Sequence, residues 1–288
     1  MTESIGFMPA IVHVPDGVVC QRNDHPGGAI VVPGARQARL SRVTTHRPFL
    51  LLSTRPENEA AAEELESFAN AMLIDASSIE QRRLEQDALG RVDLEEYSGV
   101  LLGGSPFNNL ELMKSPLQLR VEREIGTLVA ECIDRDFPVM GACYDIGAVG
   151  TAVGARLSDR YAEEAGPVTV SRTDAEERDE VLGDTPESFD TLVGHKEALE
   201  ELPDDPRIAI LVRGDQCPVQ MFRVGSNVYA TQFHPELTAE ALEFRLRLYA
   251  HLGYTSTETF ESQIAKAYEY DYSANNQILA NFARRYLR

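Results

Sequence analysis

The sequence predicts an α/β protein: a doubly wound, mostly parallel sheet with helices on both faces, plus an antiparallel hairpin region. Three observations carry this. Residues 49–52, 99–102 and 138–142 are short continuous apolar runs, as expected of strands buried on both faces of a parallel sheet. Helical stretches separate them, an acidic alanine-rich one over about 56–73 and a longer one over about 116–135. The second half then changes character, with short strands at 168–170, 189–193, 208–212, 219–222 and 228–233. Residues 220–223 and 227–233, joined through Gly225-Ser226, read as a hairpin.

The elements fall into three parts. Residues 1–46 contain Pro26, Gly27, Gly28, Pro33 and Gly34, and two apolar runs at 11–14 and 29–32 that read as strands of a small hairpin. They show no helical period and read as an added N-terminal arm, lightly structured or disordered. Residues 47–253 read as the main domain, closed by a helix over about 239–252. Residues 254–288 read as a C-terminal helical extension with apolar positions Ile264, Ala267, Tyr268, Ile278, Leu279, Phe282 and Leu287.

Composition narrows the function. The 288 residues are 43% hydrophobic and 25% charged, ordinary values for a globular chain. The 46 acidic against 27 basic residues give a formal charge of −19. Nucleic acid and anionic membrane both call for a basic surface, so neither is expected as a partner. Cys20, Cys132, Cys143 and Cys217 form no C-x-x-C pair and no cluster with zinc-ligand spacing, so no metal and no cofactor is expected. Scattered thiols suit a reducing compartment. The N-terminus has no basic start followed by an apolar run, and no run reaches about 18 apolar residues, so the expectation is cytoplasm.

The chemistry concentrates at Gly141-Ala142-Cys143-Tyr144-Asp145-Ile146-Gly147. This segment follows an apolar strand and opens a helix. A nucleophile elbow has this form: a sharp strand-to-helix turn pushes one side chain out at the carboxyl edge of the sheet. A thiol there meets the positive end of a helix, and a nearby His further favours the reactive thiolate. The Tyr144 backbone N–H can point at a developing oxyanion. His234-Pro235-Glu236 supplies the rest. Residues two apart in an extended segment face the same side, and Pro235 biases His234 towards extended geometry. Glu236 then orients the imidazole while His234 carries the proton.

Gly141-Ala142-Cys143-Tyr144, followed by Tyr229-Ala230-Thr231-Gln232-Phe233-His234-Pro235-Glu236, resembles the class I glutamine amidotransferases, and within them the glutaminase domain of GMP synthase. Further matches lie in order between them. Residues 100–106, with Gly103-Gly104-Ser105-Pro106, resemble the family's Gly-Gly-Pro oxyanion strand. Gly194-His195-Lys196-Glu197 resembles its Ser-His-Gly-Asp-type loop, and Cys217-Pro218-Val219-Gln220 the segment before the last hairpin. The likeness covers about residues 48–253.

The resemblance implies a flavodoxin-like sheet and a Cys143–His234–Glu236 triad. Cys143 would attack the side-chain amide of glutamine, release ammonia and pass through a γ-glutamyl thioester to glutamate. Oxyanion donors would be the N–H of Tyr144 and one from Gly104 or Ser105. Gly147 and His195 would border the substrate. The family's elbow is Gly-x-Cys-x-Gly-x-Gln, whereas this chain has Asp145 at the second glycine and Gly147 at the glutamine. Ser105 stands where the family has the glycine before Pro106.

Asp145 reads either as a carboxylate placed in a helix's first turn or as a negative charge opposing thiolate formation at Cys143. His195, Lys196 and Glu197 read as loop charges, either without special role or in contact with substrate or partner. Residues 160–164 read as an exposed loop or a border of the glutamine site, and Cys132 and Cys217 as inert packing residues.

Neither a Ser-Gly-Gly-x-Asp-Ser loop nor a Gly-x-x-x-x-Gly-Lys-Ser/Thr loop is found. An ammonia acceptor would therefore lie on a separate synthetase chain, or the reaction would end at hydrolysis. The alternatives are a γ-glutamyl amide or peptide hydrolase on the same triad, and a catalytically weakened binding protein. A homo-oligomer stays open.

Overall fold

The computed structural model of the protein describes residues 46–174, 179–250 and 259–288, which belong to one compact unit. Residues 1–45 of the N-terminal arm, with its two strand expectations and Cys20, lie outside the described residues, as do positions 175–178 and 251–258.

The sheet grows from β1 (Phe49–Ser53), whose five residues are all buried. Phe49 and Leu51 face one hydrophobic cluster with Phe68, Leu101, Met140 and Phe282. Leu50 and Leu52 face a second, with Val100, Val121, Ile125 and Val139. This is why the run is continuously apolar: successive side chains point to opposite faces, and both faces are covered. β2 (Ile79–Arg83), β3 (Gly99–Leu102), β4 (Val139–Ala142) and β11 (Val228–Thr231) complete a parallel set in the order β2-β1-β3-β4-β11.

Antiparallel strands extend the same sheet beyond β11. These are β10 (Met221–Val224), β9 (Ile208–Gly214), β6 (Glu163–Arg172) and β7 (Ser188–His195). The expected hairpin is β10 with β11, Val224 pairing Val228 across the turn. A short sheet pairs β5 (Arg156–Ser158) with β8 (Ala198–Glu201).

Helices cover both faces. α1 (Asn58–Met72) buries Phe68, Ala69 and Met72 in the first cluster. α2 (Pro116–Asp134) buries Val121, Ile125, Leu128 and Val129 in the second. It starts where the Ser115 side chain accepts from the Gln118 N–H, with Pro116 just inside, the usual chemistry of a helix N-terminus. α3 (Asp145–Ala152) follows β4 directly, and α4 (Ala239–Leu248) follows the last strand. The C-terminal stretch forms α5 (Phe260–Ala267) and α6 (Ser273–Tyr286). α6 packs along α1 and places Ile278, Leu279 and Phe282 in the first cluster. No helix among the described residues is long and apolar enough to cross a membrane.

Candidate active site

The turn from β4 to α3 places Cys143. Its φ is 56°, left-handed backbone that a side chain adopts at a cost of about 1–2 kcal/mol. Neighbours hold the strain in place: the Cys143 N–H donates to the Thr231 carbonyl at 2.8 Å, and the Ile146 N–H returns to the Cys143 carbonyl at 3.2 Å. Strained backbone over-determined by its surroundings is characteristic of functional sites.

His234 lies just past β11. Its N–H donates to the Leu192 carbonyl at 2.9 Å, and its own carbonyl accepts from Asn275 Nδ2 at 3.0 Å. His234 Nδ1 meets Glu236 Oε1 at 2.9 Å. The same carboxylate oxygen accepts from Arg245 Nη1 at 2.9 Å, and Arg245 Nε reaches Glu63 Oε2 at 2.8 Å. Burial alone would pull the imidazole down, but the Glu236 carboxylate and the Cys143 sulfur beside it raise it to about 9. Burial would push Glu236 up, but His234 and Arg245 hold it at about 2. The pair is therefore an imidazolium and a carboxylate at neutral pH.

The end of β3 closes the centre from the other side. A Cβ at Gly103 would lie 2.6 Å from the Glu64 carboxylate. One at Gly104 would lie 2.6 Å from Arg55 Nη2 and 3.1 Å from His234 Cε1. Glycine is thus required at 104 by the close approach of His234 and Arg55. Arg55 Nε pairs with Glu64 Oε1 at 3.0 Å, and Ser53 Oγ donates to Glu64 Oε2 at 2.7 Å.

Two cavities open from Cys143. One is lined by Ser105, Tyr144, Gly147, His195, Glu197 and Gln232. The other is lined by His234, Arg55 and Arg245 together with apolar side chains of β6, β7 and α4. The structure thus brings Gly104, Ser105, Cys143, Tyr144, Gly147, His195, His234 and Glu236 to one region at the carboxyl ends of β3, β4 and β11, where open α/β sheets place their ligands.

Comparison with known proteins identifies the family. The family model of class-I glutamine amidotransferase matches residues 69–245. The chain belongs to the class-I glutamine amidotransferases. One of the subunits of a glutamine-hydrolyzing GMP synthase from Thermoplasma acidophilum is 28% identical over 151 residues, covering 51% of this chain and 68% of that protein. A glutamine-hydrolyzing GMP synthase from Borreliella burgdorferi is 25% identical over 141 residues, covering 49% of this chain but 25% of the relative. The match therefore spans about a quarter of the length of such curated relatives. A glutamine amidotransferase structure from Thermotoga maritima superposes with a TM-score of 0.66 at 19% identity, covering 83% of this chain and 97% of that one. One from Methylobacillus flagellatus gives 0.64 at 13%, covering 84% and 96%. Both likenesses concern the fold.

Within this amidotransferase frame, the surroundings of two atypical positions, Asp145 and Gly147, are defined. Asp145 is 1% exposed, and its Oδ1 has no hydrogen-bond partner. Burial, with Glu64 and Cys143 nearby, pushes its carboxyl well above the usual carboxylate range. Both sequence readings of Asp145 assumed a charged carboxylate. The site favours the neutral acid, which neither rewards a helix dipole nor opposes a thiolate. At Gly147 a Cβ would lie 2.6 Å from Asn109 Nδ2, so the loop side chain of Asn109 fills the vacant space. Asn109 Nδ2 donates to Glu197 Oε1 at 2.6 Å and to the Tyr144 carbonyl at 3.3 Å.

His195 differs from the loop expectation. It ends β7, 5% exposed, with Nε2 at 2.9 Å from Glu163 Oε2 and Nδ1 at 3.0 Å from the Glu197 carbonyl. Glu197 is also buried and accepts from the Asn109 and Leu110 N–H groups, so neither is a surface charge. Glu163 lies in β6 rather than in an exposed loop. Glu163, His195 and Cys217 bring possible metal-ligand atoms within 4.8 Å of one another. Each already has a protein partner: Gln220 Nε2 also donates to Glu163, and Cys217 Sγ lies 3.5 Å from the Val219 carbonyl. Burial pushes the thiols of Cys132 and Cys217 up to about 12, as suits packing residues.

Sequence reasoning missed Arg245, Glu63, Arg55, Glu64, Asn109 and Asn275. Each acts through a partner that only the fold brings near. The one local signal was Arg245 itself, a cation between Phe244 and Leu246, nine residues after Glu236.

Proposed function

We propose that the chain hydrolyses the side-chain amide of glutamine, or of a γ-glutamyl compound, with Cys143 as nucleophile, His234 as proton carrier and Glu236 as the group that orients it. The observation that supports this most is the strained Cys143 at the mouth of two cavities, beside an imidazole that a buried carboxylate makes more basic. With the thiol proton already held on His234, Sγ attacks the amide carbon. The developing oxyanion meets the N–H of Tyr144 and of Gly104 or Ser105, each donor lowering the barrier by about 3 kcal/mol. The C–N bond breaks as His234 returns its proton to nitrogen. Water then cleaves the γ-glutamyl thioester, again through His234.

In this reading Gly147 and His195 border the acyl group, and ammonia passes to a synthetase on another chain. Leu112 and Met113 suit such a contact: they are 99% and 88% exposed on the loop whose start, Pro106 to Asn108, lines the first cavity. The catalytic unit taken as residues 47–253 borrows Asn275 from the extension at 254–288. Free thiols at Cys132, Cys143 and Cys217 suit the cytoplasm.

The test is glutamate release from glutamine and from γ-glutamyl peptides by wild type and Cys143→Ala. Wild type should release glutamate and form a mass-detectable γ-glutamyl adduct, and Cys143→Ala should do neither. Absence of Cys143-dependent release from every substrate, alone or with a candidate synthetase, leaves a binding protein as the better reading.

A further inference from the structure

The two cavities share Ser105, Cys143 and Gly194 and then diverge. Tyr144 and Gly147 line the first, with the polar groups of Glu197 and Gln232. That wall suits the acyl half of the substrate, with its carbonyl and its α-amino and α-carboxyl groups. His234 lines the second cavity with Arg55 and Arg245, and the rest of its wall is Ala165, Val193, Leu237, Leu242, Leu246 and the Tyr249 ring. A departing ammonia, about the size of a water molecule, would touch only a small part of this wall, and the apolar part offers it no hydrogen bond.

The charges at the second cavity are paired within the protein, although Arg245 Nη2 is left without a hydrogen-bond partner among the described residues. Arg55 is matched by Glu64 at 3.0 Å, and Arg245 by Glu63 and Glu236 at 2.8 and 2.9 Å. The space therefore suits an apolar, uncharged group.

The direction of the reaction sets which half of the substrate enters. As the Sγ–C bond forms and the C–N bond breaks, the proton on His234 goes to the departing nitrogen. That nitrogen must therefore lie on the His234 side, facing the second cavity. We propose that this cavity is a subsite for the leaving amine, and that the chain acts best on γ-glutamyl amides whose nitrogen carries a short aliphatic group. The proposal rests on the reading of Cys143 as nucleophile given above. The step balances without a further reactant. The amine leaves with the proton from His234, and water replaces it. The water's oxygen then bonds to the acyl carbon as the C–S bond breaks. His234 passes the water's proton back to sulfur, and glutamate and a primary amine result. Each methylene that enters the apolar wall should improve binding about fourfold.

The experiment measures glutamate release by the full chain from L-glutamine and from the γ-glutamyl amides of methylamine, n-butylamine and n-hexylamine. Intact mass follows the Cys143 adduct. Expected is a rise in kcat/KM of about tenfold or more from the methylamide to the butylamide. Leu242→Trp, which fills the wall, should cut the ratio of butylamide to glutamine kcat/KM at least tenfold. A ratio taken within one protein cancels any loss of folded material. If glutamine is cleaved through a Cys143 adduct while kcat/KM falls as the alkyl chain grows, the subsite is wrong and the nucleophile stands. An unchanged ratio in Leu242→Trp also overturns the subsite. If no substrate yields glutamate or a Cys143 adduct, the nucleophile reading fails and the subsite with it.

Discussion

Cys143 and His234 are placed by structure on two different length scales. The cysteine is set by its neighbours in sequence: β4 delivers it, φ turns positive, and α3 begins two residues later. The imidazole is set from far away. Its main chain is pinned by Leu192 and by Asn275, the latter 41 positions on, and its carboxylate partner is held by Arg245, which spans 182 positions to Glu63. A turn is solved by sterics over a few residues. A buried imidazole and carboxylate need a partner for nearly every polar atom, and those partners come from wherever the fold brings them. Distant changes should therefore damage the base more than the nucleophile.

The largest effect tests the remote half at its centre. Glu236→Gln keeps the shape but removes the charge that orients His234, and kcat should fall about 10³–10⁴-fold, as when an orienting carboxylate is lost in other triads. The same substitution changes the pH dependence of stability. His234 is raised in the folded state to about 9, so its contribution is complete below its ordinary value of 6.5 and is lost as pH rises through about 9. Glu236 is lowered to about 2, so its contribution is present above its ordinary 4.5 and is lost as pH falls through about 2. Wild-type Tm should therefore decline across both windows, and Glu236→Gln should flatten both. A variant with the wild-type Tm profile would remove the ion pair from the account.

A smaller effect separates the two scales directly. Asn275 is fully buried, donates to the His234 carbonyl at 3.0 Å and accepts from Thr191 Oγ1 at 2.8 Å. Asn275→Ala leaves both partners unsatisfied and should cost about 2–3 kcal/mol of stability, read by urea titration. It should lower kcat more than it slows alkylation of Cys143 by iodoacetamide, because the elbow does not depend on α6. Parallel losses in both would mean that the nucleophile also leans on the C-terminal helices.

The same division explains what was legible in the sequence. β1, β3 and β4 announce themselves because both faces are buried, and α2 because its apolar period follows Ser115 and Pro116. The Cys143 turn is visible because a strand, a small residue and a helix follow one another. β2 was not visible: at the sheet edge it pairs with one neighbour, and its sequence, Ile-Glu-Gln-Arg-Arg, carries no apolar run. β5 and β8 are too short for alternation to show. The C-terminal stretch read as helical, but nothing local marks Asn275 as a clamp on the histidine. Glu63 and Glu64 lie in the stretch read only as an acidic, alanine-rich helix, and only the fold sets them against Arg245 and Arg55.

Asp145 lies where the two scales meet, and the smallest expected effect belongs to it. It sits inside the local elbow, yet its surroundings include the distant Glu64 and Arg55. Burial favours its neutral acid, so Asp145→Asn exchanges one neutral group for another. The rate of Cys143 alkylation should stay within about twofold across neutral pH. An ionised carboxylate would act quite differently: two like charges about 4 Å apart repel by about 4 kcal/mol at an effective dielectric of 20, and removing one would speed alkylation by orders of magnitude. The rate–pH profiles of wild type and Asp145→Asn therefore decide between a neutral and a charged Asp145. A rise above about tenfold would make the reactivity of Cys143 depend on how Glu64 and Arg55 share charge with Asp145. The nucleophile would then be governed from a distance, as the base is.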